Sequence, residues 1–273
     1  MPLVLGLFCF VDSPERPAGS RGWLTLIDSS QGMEREDSTT NLNGTVAIIP
    51  AAGSGRRMGG ERAKQFLELD GRPLLAVTLK PLQHCGKVDT VILVVPSSEV
   101  GYCREKIVQR FGLDKVKKVV AGGGRRQDSV RMGVQATSGD YDLVLIHDGV
   151  RPLIESSLLE KVLEAGRTHR AVITGLPARE TVKEVDSTKR VLRTYDRKKI
   201  WLVQTPQVFR YEDIALAHEK AFREGWKEAT DDALLVERLG IPVHVVEGSE
   251  DNIKITTPRD LQIAHILMKK NTK

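Results

Sequence analysis

Residues 50–66 read PAAGSGRRMGGERAKQF and follow the apolar run VAII (46–49) without a break. A structural turn needs one glycine, yet this loop carries Gly53, Gly55, Gly59 and Gly60, together with Arg56, Arg57 and Lys64. A polyphosphate requires such a loop. Backbone N–H groups must approach its oxygens closely while cations spread over several of them. The loop matches neither of two familiar phosphate fingerprints. No G-x-x-x-x-G-K-[ST] run occurs, and Gly53-Ser54-Gly55 is followed by Met58 where a dinucleotide motif needs its third glycine. Gly59-Gly60 then interrupt the helix that a dehydrogenase would place next, which disfavours that class.

Outward from the loop, apolar β-rich runs alternate with helix-like segments. Strands are expected at 46–50, 90–95, 116–120, 142–147, 171–176 and 242–246, apolar enough for a sheet covered on both faces. Helices are expected at 74–85, 98–111, 127–137, 155–169, 211–224, 230–239 and 258–270, with Ser98, Thr230 and Thr257-Pro258 as starts. Pro81 should bend or shorten the first of them. The alternation predicts an α/β fold, a doubly wound and mostly parallel sheet binding ligands beyond the carboxyl ends of its strands. Residues 177–203 break the rhythm and read as a protruding β-hairpin arm: TVKEV, the turn DSTKR, then VLRTY.

Composition narrows the classes. A net charge of +5 on 273 residues is mildly basic, but the cations are dispersed and no aromatic-interleaved basic stretch appears. An anionic small molecule fits better than nucleic acid. Cys9, Cys85 and Cys103 are odd in number and lack C-x-x-C spacing, which suits a reducing cytoplasm rather than a disulfide scaffold or zinc site. MPLVLGLFCFV at the start is apolar but lacks a basic flank and is too short to span a bilayer, so no membrane role is expected. Asp12, Glu15 and Asp28 argue against a transit peptide. Residues 1–44 are expected to be a poorly ordered extension, with Met33 a candidate true start, ahead of one domain at 45–273.

Four further stretches carry chemistry. AGGGRRQDSVRMG (121–133) puts three glycines after a strand, permitting close backbone approach to a base or ribose, with Ser129 in the following helix. LVLIHDGVRP (143–152) ends a buried strand on Asp148, a natural magnesium position beside the phosphate-binding cation Arg151. His147 reads as a strand-end packing residue. TYDRKKIWLVQTPQVF (194–209) and EGSEDNIKITTPRDL (247–261) each set a cation, Arg197 or Lys254, among polar side chains. Any one of these could be solvated surface; all four in one α/β chain point to a site.

In that order, PAAGSGRRM, KQF, GGGRRQDSV, HDGVRP, TVKEV, DRKKIW, QTPQVF and DNIKITTPRDL resemble the 2-C-methyl-D-erythritol 4-phosphate cytidylyltransferase family from about Thr45 to Lys270. The resemblance implies a Rossmann-related, nucleotide-diphospho-sugar transferase-like fold. It implies that Ala51, Ala52, Gly53, Gly123 and Ser129 contact the cytidine part of CTP, with Gly55 in the same loop. Arg57 and Lys64 would stabilise the reacting triphosphate, with Arg56 nearby. Asp148 would lie close to Mg²⁺ or another divalent cation and to the polyol phosphate, with Arg151 beside it. Arg197 and Lys254 would position that substrate, with Thr181 and Thr205 lining its site. It also implies a homodimer in which Arg197 and Thr181 enter the other subunit's site. Gly149-Val150 stands where Ala-Ala is common, which should alter loop flexibility, and Gly124 stands where an acidic residue is frequent.

The implied reaction joins two anions, so cations and glycines suffice and no strong base is needed. The rivals are a cytidylyltransferase for another polyol phosphate such as ribitol 5-phosphate, and a catalytically silent nucleotide-binding protein on the same fold. DRKKIW, with Trp201 after Arg197, favours the methylerythritol enzyme over the first. Joint retention of Arg57, Lys64, Asp148, Arg197 and Lys254 argues against the second.

Overall fold

The computed structural model describes residues 44–53, 63–137, 141–226 and 229–271. Of the expected extension at 1–44, residues 1–43 lie outside the described residues, as do Gly55, Arg56 and Arg57.

The run TVAIIP forms β1 (Thr45–Pro50). Val46 and Ile48 face one core cluster while Ala47 and Ile49 face the other, and all four are fully buried. Burial of each larger side chain contributes roughly 1.5–3 kcal/mol. The strand is thereby anchored on both faces, which fixes where its carboxyl end and Ala51–Gly53 beyond it lie. Two short strands, β2 (Glu68–Leu69) and β3 (Arg72–Pro73), form a small hairpin, and α1 (Leu74–His84) follows with Pro81 tolerated in its last turn.

β4 (Thr90–Val95) and β5 (Val116–Ala121) pair parallel beyond β1. The helix expected at 98–111 is instead a composite: a 3₁₀ turn Ser97–Glu99, α2 (Val100–Tyr102) and a π-helical segment Cys103–Gln109. Ser98 caps nothing, because the segment begins directly after Pro96. Cys103 and Ile107 are its buried anchors, and Gly101, which has open space, faces outward. α3 (Arg126–Gln135), β6 (Leu143–Ile146), α4 (Ser156–Thr168) and β7 (Ala171–Pro177) continue the alternation. Next come β8 (Lys183–Val185) and β9 (Val191–Thr194), the antiparallel pair of the expected hairpin.

The arm is shorter than expected, for Trp201 already opens a strand, β10 (Trp201–Arg210), which runs antiparallel between β6 and β7. QTPQ hides it in the sequence, since a proline flanked by polar residues argues against an internal strand. The structure accommodates Pro206 at a register irregularity between Gln204 and Gln207. α5 (Tyr211–Arg223), α6 (Ala233–Glu237), β11 (Val243–Glu247) and α7 (Pro258–Asn271) complete the described residues. The helix expected at 230–239 is only one turn long and starts later, with Asp231 rather than Thr230 accepting from the Leu234 N–H. Thr257 does start α7. Its hydroxyl accepts from the Asp260 N–H while Asp260 accepts from the Thr257 N–H, a reciprocal cap.

The main sheet has the order β11-β7-β10-β6-β1-β4-β5, parallel except at β10. α1 and α4 cover one face, and α3, α5 and α6 the other. No described helix is long and apolar enough to cross a membrane.

Candidate active site

The carboxyl ends of β1, β5 and β6 converge. Beyond β1, Ala51 donates its N–H to Val94 O, and Ala51 O accepts from Gln65 Nε2 at 2.8 Å. Gln65 belongs to the 3₁₀ turn Lys64–Phe66, so the buried amide that holds the loop also fixes where Lys64 begins. Ala51, Ala52, Gly53 and Lys64 line a cavity of about 460 Å³, together with Gly123, Ser129, Asp148 and Lys254. Ser129 Oγ accepts from the Gly123 N–H at 3.2 Å, tying the glycine run to the first turn of α3.

Gly123 and Gly124 line this cavity, and packing within the protein adds its own demand on the glycine run. A Cβ on Gly122 would overlap Ala52 and Ser129, and one on Gly123 would overlap Asp128, whereas Gly124 meets nothing within 4 Å. Protein packing by itself already demands glycine at the first two. At Gly149 a Cβ would lie 2.8 Å from that of Ala51 and 3.3 Å from Leu75 Cδ1. Glycine there therefore lets the HDGVRP turn lie close against Ala51 in the segment after β1.

Asp148 is the hub. Its carboxylate lies 3.1 Å from Arg126 Nε, 2.9 Å from Lys254 Nζ and 3.5 Å from Arg151 Nε. Burial alone would push its carboxyl up, but Arg126, Lys254 and Arg151 together outweigh that and hold it well below the usual carboxylate range. Arg151 is itself pinned by Nη1 donating to Asn252 O, and the Lys254 segment by the Ile255 N–H donating to Val150 O. A second cavity of about 440 Å³ opens on the far side of Asp148, shares Arg126 and Lys254, and adds Arg151, Thr205 and Gln204. Five cations (Lys64, Arg125, Arg126, Arg151 and Lys254) thus line the two cavities against three carboxylates (Asp148, Asp231 and Glu237), a net positive field that attracts anions.

His147 sets the turn. Its Nε2 lies 3.1 Å from Arg151 O, which can only accept, so Nε2 carries the proton and Nδ1 accepts from the Thr205 hydroxyl. Thr205 Oγ1 in turn accepts from the Asp148 N–H. Full burial pushes the imidazole down to about 4, and it stays neutral. The unfolded chain takes up this proton near pH 6.5 and the folded one only near 4. Between those values the unfolded state binds more protons, so stability falls as pH falls, by about 2 kcal/mol at pH 5 for this group. His147→Gln should remove that component. Urea midpoints compared at pH 7 and pH 5 should drop less in the variant than in the wild type. Equal drops would show that the buried neutral imidazole is not what titrates.

The structure thus brings together Ala51, Ala52, Gly53, Lys64, Gly123, Ser129, Asp148, Arg151, Thr205 and Lys254. It does not bring Thr181 or Arg197 to these cavities of the same chain. Both are exposed on the arm, where Arg197 Nη1 donates to Arg179 O. Sequence reasoning passes over Arg126 as a surface charge. Its guanidinium bridges Asp148 to the fully buried Asp232, at 2.7 Å, and Asp232 also lies 3.2 Å from His218 Nε2. The available signal is the acidic pair Asp231-Asp232 at the mouth of an apolar turn, two carboxylates in need of a cation. Among the described residues no group of three or more His, Cys, Asp or Glu side chains could hold a metal.

The chain matches the family described as 2-C-methyl-D-erythritol 4-phosphate cytidylyltransferase over residues 45–270. A protein of that name from Syntrophus aciditrophicus is 48% identical over 225 residues, covering 82% of this chain and 96% of the relative. The crystal structure of 4-diphosphocytidyl-2C-methyl-D-erythritol synthase from Anaerococcus prevotii superposes with a TM-score of 0.74 at 33% identity, over 84% of this chain and 97% of that one. The 2-C-methyl-D-erythritol 4-phosphate cytidylyltransferase of Thermus thermophilus does so at 0.67 and 36% identity, over 82% and 98%.

Proposed function

The chain belongs to the 2-C-methyl-D-erythritol 4-phosphate cytidylyltransferase family, and from that premise we propose how its residues carry the reaction. The enzyme transfers CMP from CTP to 2-C-methyl-D-erythritol 4-phosphate, giving 4-diphosphocytidyl-2-C-methyl-D-erythritol and pyrophosphate. One observation carries the assignment of roles: Asp148 sits where two cavities meet, between the glycine loops on one side and Arg151 and Thr205 on the other.

CTP lies on the glycine side, its cytidine part against Ala51, Ala52, Gly53, Gly123 and Ser129, with Gly55 continuing the loop. Arg56, Arg57 and Lys64 take its triphosphate. The acceptor phosphate lies toward Arg151, Thr205 and Lys254. An oxygen of that phosphate attacks the α-phosphorus of CTP, a new P–O bond forms, the α–β bridge bond breaks, and pyrophosphate leaves. The nucleophile is already anionic, so the protein's work is alignment and neutralisation of developing charge. Asp148 is the one carboxylate lining the nucleotide cavity among the described residues. Magnesium is commonly held by one or two carboxylates plus substrate phosphates, so this hard oxygen donor suits it. When bound, the ion would neutralise triphosphate charge and hold its oxygens in place. Lys254 and Arg126, which grip Asp148 here, are positioned to turn to the arriving phosphates instead.

We place this chemistry in the cytoplasm and in a homodimer. The arm and the start of β10 expose Val185, Val191, Leu192 and Leu202 to between 51% and 59%, an apolar surface suited to a twofold partner. Arg197 and Thr181, remote from their own chain's cavities, would then complete the other subunit's acceptor site.

Pyrophosphate release from CTP should be fast with 2-C-methyl-D-erythritol 4-phosphate and slow with ribitol 5-phosphate. The opposite order would overturn the acceptor assignment. With the preferred acceptor, CTP should outcompete UTP and ATP at subsaturating concentration. A site that pairs the cytosine amino group and carbonyl leaves polar groups unpaired by the wrong base, at roughly 1–3 kcal/mol per lost bond. Equal rates with all three nucleotides would count against a base-specific site.

A further inference from the structure

We propose that Gly122 is a positioning residue for the nucleotide, setting the distance between the two loops that enclose it. The inference rests on the reading of Ala51–Gly53 and Gly123–Ser129 as the seat of CTP. Gly122 directly follows β5, and its N–H donates to Val95 O at 2.8 Å. Its backbone is not in the left-handed region, so conformation alone would admit any residue. The demand for glycine is spatial.

A Cβ at this position would lie 2.5 Å from Ala52 Cβ, 2.7 Å from Ser129 Oγ and 3.1 Å from Val94 Cγ1. None of the three yields easily. The Ala52 methyl is fixed to its backbone and has no rotamer to change. Ser129 Oγ is held from both sides, accepting from the Gly123 N–H and donating to Arg125 O at 3.1 Å. Val94 is fully buried within β4. Relief therefore has to come from Ala52 moving, and the first loop with it, away from Ser129. Ordinary carbon contacts lie at about 3.5–4 Å, so the shift required is on the order of 1 Å.

The glycines beside it do not share this role. The three atoms nearest a Cβ on Gly123 all belong to Asp128, within its own loop and helix, and Gly124 stands in open space. Of the three, Gly122 alone touches both loops. It lets the methyl of Ala52 and the hydroxyl of Ser129 lie side by side, so that the two loops present one continuous wall to the ligand.

The test is CTP affinity by calorimetry, with thermal midpoints as a check on folding, for Gly122→Ala, Ala52→Gly and the combined swap. A misplacement near 1 Å should weaken CTP binding of Gly122→Ala by about tenfold or more. Gly101→Ala, on a helix with open space, should bind CTP as the wild type does. The swap moves the methyl from one side of the gap to the other, so it should recover at least about half of the loss on a logarithmic scale, a coupling that independent sites lack. Wild-type affinity in Gly122→Ala, or a loss unchanged in the swap, would overturn the proposal. Should Gly122→Ala not fold, the swap carries the test alone, and a folded swap that binds CTP as poorly as a loop-deleted control overturns it. Wild-type protein that binds no CTP would instead sink the nucleotide reading, and the proposal with it.

Discussion

Lys64→Ala is expected to lower kcat about a hundredfold while leaving the fold and the affinity for CTP largely in place. The lysine lines the nucleotide cavity from the first position of a short 3₁₀ turn whose other two residues, Gln65 and Phe66, are buried and do the anchoring. Losing the ammonium therefore removes charge from the site without removing the hydrogen bond from Gln65 to Ala51 O that shapes the loop. In the proposed site, ground-state CTP would still have Arg56 and Arg57. As the α–β bridge bond breaks, charge grows on the leaving oxygens, and a cation aimed there supplies on the order of 3 kcal/mol more to the transition state than to the ground state. The prediction has a specific signature: kcat falls, KM for CTP moves little, and the thermal midpoint stays within a few degrees. A stable variant that turns over within about threefold of wild type would remove Lys64 from the chemistry. One that loses CTP binding instead would make it a ground-state anchor.

Why Lys64, Asp148 and Lys254 are legible in the sequence while Arg126 is not comes down to range. β1 and the loop after it declare themselves within a dozen residues, because a strand buried on both faces must be apolar throughout and a loop that cradles phosphates must be glycine-rich and basic. Asp148 stands out for the same local reason, a carboxylate at the end of the buried run LVLI. Arg126 sits in a stretch that reads equally well as solvated surface. What decides its role is Asp232, 106 positions further along the chain, and no local pattern links the two. β10 is hidden for a different reason. Its core half, QVF, is short, and the polar bulge before it looks like a strand's end rather than its middle. Yet that bulge carries Thr205, which reaches both His147 and the Asp148 N–H. The feature that makes the strand illegible is the one that puts it in the site.

On the proposed homodimer, in which Lys64 and Arg197 serve one site from different chains, mixing two dead enzymes should restore activity. Within one chain they are far apart in role: Lys64 lines the nucleotide cavity, whereas Arg197 is exposed on the arm and lines neither cavity beside Asp148. Among the described residues the exposed Arg197 guanidinium bonds only to the Arg179 carbonyl, which contributes little to its own chain's stability, so Arg197→Ala should fold normally. The arm's exposed apolar side chains give it a reason to leave its own subunit and cover another. Lys64→Ala and Arg197→Ala homodimers should each be nearly inactive, since every site lacks one cation. In a heterodimer one site combines the intact Lys64 of one chain with the intact Arg197 of the other, while the second site loses both. Random pairing makes about half of the dimers mixed, each with one working site of two, so about a quarter of wild-type activity should return on co-expression. Separately purified proteins, mixed too briefly for subunits to exchange, should show none. Heterodimers verified by differential tagging that recover no activity would return Arg197 to the site of its own chain, or deny it a part in the reaction.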